Sequence, residues 1–99
     1  MNINKEYNGK ELTMYVEGRI DTITSQDLDK EIQDEMGKFD SLTMDFSDLE
    51  YISSAGLRVL IATQKTLKPD NIPLIIRNVN DNIKEIFRMS GFDKILKIE

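Results

Sequence analysis

The sequence predicts an α/β protein: a mixed, mainly parallel β-sheet opened by an antiparallel hairpin, with three or more helices. Three observations carry that expectation. Apolar and polar residues alternate around Asn8-Gly9, a pair favoured in two-residue hairpin turns. Further along, short apolar runs take turns with segments whose apolar residues recur every three to four positions. Parallel strands need crossover connections, and helices lying between strands supply them.

The elements follow in order. Ile3 and Tyr7 mark a first strand, and Leu12, Met14 and Val16 alternate with polar residues in a second. After "GRIDTIT" the period changes: Leu28, Ile32 and Met36 repeat at four-residue steps and stop at Gly37, a natural C′ residue. Thr24 is the expected N-cap of this helix, with Ile23 stapling across it onto Leu28. Leu42, Met44 and Phe46 form the third strand. Leu57, Leu60, Ile61 and Leu67 lie on one side of a second helix that stops near Pro69. "IPLIIRNV" reads as a strand buried on both faces. Asn80 caps a last helix with Ile83, Ile86 and Phe87 inward, Ser90-Gly91 closes it, and "KILKIE" supplies a short final strand. The order is ββαβαβαβ.

Composition excludes several functions. The chain has 99 residues, 39% hydrophobic and 31% charged, which suits one folded domain, residues 1–99, and not a disordered chain. It has no cysteine and no histidine. Ser-His-Asp and Cys-His catalysis and zinc sites built on thiolate or imidazole are thereby removed. A net charge of −5 with scattered Lys and Arg argues against direct binding to nucleic acid and suits a protein partner with a basic patch. No apolar run approaches the roughly 20 residues that span a bilayer, and "MNINKEYNGK" has no apolar core of a signal peptide. A cytoplasmic protein without membrane insertion is expected. The carboxylates of "DKEIQDE", Asp29 to Glu35, read as the wet face of an amphipathic helix, not as metal ligands.

Candidate functional residues lie where the third strand gives way to the second helix. In "LEYISSAGLRVL" two hydroxyls, Ser53 and Ser54, stand before Ala55 and Gly56 at a helix start. A helix amino terminus leaves backbone N–H groups unpaired and tolerates negative charge, so a serine there serves either as a cap or as a group for modification.

"GRID" after the second strand, "DFSDLEYISSAGLRVL" and "MSGFDKILKI" together resemble the STAS domain, the fold of bacterial anti-sigma factor antagonists, over essentially the whole chain. What the resemblance implies is a regulatory switch without catalysis and without a cofactor or metal. Antagonists of this family bind an anti-sigma factor that is also a serine-protein kinase and so free a sigma factor. The kinase phosphorylates one serine of the antagonist and ends the contact, and a PP2C-type phosphatase restores it. The acceptor lies two positions before the motif's glycine; with Gly56 matching that glycine, Ser54 is the acceptor. Asp21, Thr22, Ser53, Ala55, Gly56 and Arg58 are the implied partner-binding residues, with Ser53 also the cap and Gly56 keeping the approach open. Asp21 could instead cap the loop after the second strand or pair with Arg19. Many antagonists have an aspartate where this chain has Ser53 and a glycine where it has Arg58. Arg58, four residues after Ser54, is placed to reach a phosphate there. The other implied role is an unphosphorylated STAS subunit of a stress-sensing or transporter-associated complex.

Overall fold

A long second strand organises the structure, a computed structural model that describes residues 1–99. β1 (Asn2–Asn8) pairs antiparallel with β2 (Glu11–Ile20), Asn8 opposite Glu11. The two-residue loop is therefore Gly9-Lys10, one residue later than the Asn8-Gly9 pair predicts. Positive φ at Gly9 (+63°) and not at Asn8 or Lys10 departs from the I′ turn, which needs it at both central residues.

β2 then serves two partners. Its first half, Glu11 to Tyr15, runs parallel to β3 (Ser41–Asp45). At Gly18, with φ +92°, the strand turns, the register shifts, and Arg19 and Ile20 pair in parallel with Tyr51 and Ile52 of β4 (Leu49–Ile52). A side chain is strained at that φ, so glycine lets β2 leave one neighbour and join another. β4 was not expected from the sequence. The order of the main sheet is β1-β2-β3-β5-β6, with β5 (Leu74–Arg77) and β6 (Lys97–Ile98) also parallel.

Three helices connect the strands: α1 (Thr24–Asp34), α2 (Ser54–Leu67) and α3 (Asp81–Ser90). Single 3₁₀ turns follow α2 at Lys68–Asp70 and α3 at Phe92–Lys94. The core gathers Leu12, Met14 and Val16 of β2, Leu42 and Met44 of β3, Leu74 and Ile76 of β5, and the inward residues of the helices, including Leu28, Ile32, Leu60, Ile83 and Phe87. On β5 the intervening Ile75 is only half-buried, so this strand is not buried on both faces as its run of apolar residues suggested. Ile86 is likewise half-buried against the core.

Polar groups tie the layers together. Lys5 and Tyr7 of β1 reach Glu35 beyond α1, at 3.1 and 2.8 Å, and Lys5 also pairs with Glu31. The acidic face of α1 is thus wet on one side only. Asp45, 4% exposed, accepts from Arg77 Nε (3.1 Å), Asn78 Nδ2 (2.9 Å) and the Ser47 N–H (3.0 Å). Asn80 caps α3, its Oδ1 accepting from the Ile83 N–H at 2.9 Å, while its Nδ2 donates to the Leu49 carbonyl at 2.8 Å and binds α3 to β4.

Candidate functional site

Two turns meet at one end of the β2–β4 pair. Ile20 lies opposite Ile52, and the Ser53 N–H donates to the Ile20 carbonyl at 2.7 Å. The chain leaving β2 at Asp21 and the chain leaving β4 at Ser53 are therefore held side by side, and both enter helices at once.

The serines occupy unlike positions. Ser53 is buried, in extended backbone at φ −84°, ψ 171°, and its Oγ accepts from the Gly56 N–H at 3.2 Å. It is the N-cap of α2, as expected. Ser54 is the first helical residue, exposed, and its hydroxyl makes no hydrogen bond within the chain. Ala55 is half-buried, and Arg58 is exposed and forms no ion pair. The backbone N–H groups of the first turn are those a helix leaves without internal partners.

Gly56 does something different from keeping a surface open. It is buried, and a Cβ built on it would come within 2.6 Å of Ile20 Cγ2 and 2.8 Å of Ile52 Cγ1. The missing side chain lets α2 lie directly on the two strand ends; it positions Ser54 from beneath.

Asp21 and Thr24 correct the expected start of α1. Asp21 Oδ1 accepts from the N–H groups of Ile23 (2.9 Å) and Thr24 (2.8 Å), and the Asp21 N–H donates to Thr24 Oγ1 (2.8 Å). The Asp21 carbonyl accepts the first helical bond from the Ser25 N–H at 2.9 Å. That reciprocal pattern is a capping box with Asp21 as the cap and Thr24 three residues on. The Thr24 N–H and hydroxyl, the Ile23 N–H and the charge of Arg19 together hold the Asp21 carboxyl below its usual range. Ile23, expected to staple onto Leu28, is instead 75% exposed, while Leu28 is fully buried. Behind this loop the Arg19 guanidinium stands 4.6 Å from the centre of the Tyr51 ring.

Elsewhere the chain offers little chemistry. No cluster of three or more His, Cys, Asp or Glu side chains is arranged to hold a metal ion, and no helix is long and apolar enough to cross a membrane. One shallow hollow, about 320 Å³, lies between Lys84, Arg88, Asp93 and Ile98, at the carboxyl-terminal side of the fold.

A mixed sheet in which β2 turns from β3 to β4, with a buried capping serine and an exposed one beside it at the turn into α2, defines a STAS fold. The sequence matches the STAS domain family over residues 2–99, and the chain belongs to that family. Among relatives, BtrV of Bordetella bronchiseptica, assigned as an anti-sigma factor antagonist, is 29% identical over 84 residues, covering 84% of this chain and 72% of its own. The anti-sigma-B factor antagonist of Listeria monocytogenes is 25% identical over 103 residues, covering all of this chain and 90% of its own. Among solved structures, the anti-sigma factor antagonist SpoIIAA is similar in both of its forms. The unphosphorylated form gives a TM-score of 0.78 at 13% identity, covering 99% of this chain and 87% of its own. The phosphorylated form, from Bacillus, gives 0.77 at 15%, covering 99% and 91%.

Proposed function

We propose that this protein is an anti-sigma factor antagonist switched by phosphorylation of Ser54. Unmodified, it docks on an anti-sigma factor that is also a serine-protein kinase and releases a sigma factor. In the modification the Ser54 hydroxyl attacks the γ-phosphorus of ATP, loses its proton and takes the phosphoryl group, and ADP leaves. A PP2C-type phosphatase hydrolyses the ester and returns the binding form. The protein itself works by contact and not by catalysis.

The observation that carries this proposal is the division between the two serines. One hydroxyl is consumed as a cap, and the next is exposed, unbonded and carried on a helix that Gly56 fixes against Ile20 and Ile52. Both relatives described above, matched over most of their lengths, bear antagonist names. Phosphate on Ser54 adds about −1.5 to −2 charges and three acceptor oxygens. The helix amino terminus favours that charge, whereas a partner packed over the same spot meets new bulk and charge. Thr22, Ala55 and Arg58 make up the outer part of the docking surface, with Asp21, Ser53 and Gly56 supporting it from below. SpoIIAA, known in both forms, is matched equally by this fold, in keeping with a switch that leaves the backbone in place.

Intact mass after incubation with ATP and the purified serine kinases of anti-sigma type from the same genome tests the proposal. A gain of one phosphoryl group on the parent and none on Ser54→Ala is expected; equal labelling of Ser54→Ala would refute it.

A further inference from the structure

Building on the function proposed above, we infer that Ile23 is the apolar anchor of the partner contact and that Asp21 acts mainly as the residue that holds it in place. The partner that handles Ser54 carries an apolar hollow beside its phosphoryl-transfer site, and Ile23 fills it.

Three observations lead there. First, Ile23 is a large aliphatic side chain left 75% exposed in the turn adjoining that of Ser53. Hydration of such a group is unfavourable, and its burial in a partner strengthens binding by about 10- to 100-fold. Second, the exposure is built in. The backbone of Ile23 is unstrained at φ −83°, ψ −52°, its N–H is bonded to Asp21, its carbonyl accepts from the Gln26 N–H at 3.1 Å, and the Ser25 hydroxyl bonds to the Thr22 carbonyl at 2.9 Å. A β-branched side chain on a first helical turn has few rotamers to lose when buried, so the anchor is preorganised. Third, the Ser53 N–H bond to Ile20 fixes the turn of Ile23 relative to the turn of Ser54, so the two stand side by side at one end of the fold. Met89 is equally exposed, at 76%, but lies near the end of α3 with no such tie to the serine turn.

Titration calorimetry against the purified anti-sigma kinases of the same genome decides the matter. Ile23→Ala should weaken binding about 10- to 100-fold, in line with loss of a buried aliphatic anchor, with no change in thermal midpoint. Ile23→Val should retain affinity within about fivefold, having lost a single methylene. Asp21→Ala should weaken binding in the parent and add almost nothing in the Ile23→Ala background, since a residue acting through another has nothing left to position. Parent-like binding by Ile23→Ala would overturn the inference, and full additivity of the two changes would give Asp21 its own contact and overturn its positioning role. If the parent bound none of the kinases, the proposed function itself would fall. If the parent sedimented as a dimer that Ile23→Ala dissolved, the occupant would be a second copy of this chain and the partner assignment would be wrong.

Discussion

A Cβ on Gly56 would stand 2.6 Å from Cγ2 of Ile20, so the helix that starts at Ser54 and the strand that ends at Ile20 approach as closely as a residue without a side chain allows. Ile20 is fully buried and Ile52 is 1% exposed, and both are β-branched, so neither can swing aside.

Gly56→Ala sets two effects against each other. Alanine is the better helix former by about 1 kcal/mol. The methyl group, however, forces apart a packed helix and two strands, a kind of overpacking that costs about 1–3 kcal/mol or more. We expect a net loss of stability, seen as a lower urea midpoint at unchanged slope, together with weaker partner binding because Ser54 is displaced.

Ser53→Ala and Ser54→Ala separate the two hydroxyls by stability alone. Removing the Ser53 cap should cost about 1 kcal/mol, since its Oγ is the acceptor for the buried Gly56 N–H. Removing the Ser54 hydroxyl, exposed and unbonded, should stay within about 0.5 kcal/mol of the parent. Chemical denaturation of the two variants side by side checks this.

Asn80→Ala should cost more than an ordinary cap, about 1.5–2.5 kcal/mol, because it removes the bond to Ile83 and also strands the Leu49 carbonyl. Hydrogen exchange should quicken in β4 as well as in the first turn of α3.

Acid should destabilise the fold in part through Asp45. Burial pushes its carboxyl up, but the Ser47 N–H, Asn78 and Arg77 outweigh that and hold it below the usual range. The folded pKa thus lies under the unfolded one. Its stabilisation is full above the unfolded value near 3.9 and is lost as pH falls through the folded value. Asp45→Asn should lower the urea midpoint at pH 7 and flatten its fall between pH 5 and pH 3. A fall as steep as the parent's would assign the acid limb to other carboxylates.

Helices and the main strands were legible in the sequence because their periods are sustained over many residues; α2, for instance, buries Leu57, Leu60 and Leu67 on one side. β4 was not. "LEYI" offers four residues with only Leu49 and Ile52 inward, too few to show a period beside the turn signals of "SDLE" and "SSAG". Its partner was hidden for a related reason: Gly18 gives no sign in the sequence that β2 changes neighbours there. At the site, local chemistry marked two serines at a helix start as cap or modification site, and the family resemblance assigned Ser53 to the first role and Ser54 to the second. The buried role of Gly56 could not be anticipated, because it depends on Ile20 and Ile52, residues brought together only by the β2–β4 pairing. The cap of α1 was placed on Thr24 and not on Asp21 because the two have the same capping ability, stand three residues apart and belong to one capping box.

The seating of Gly56 on Ile20 and Ile52 leaves Ser54 on a post and not on a hinge. A mark placed on that serine has no path inward, because the helix beneath it cannot slide or tip without opening the core. On the proposed function, a phosphate there would alter what a neighbour touches and leave the fold as it stands. The chain would then keep one bit of memory on its skin, legible to the protein that presses against that end.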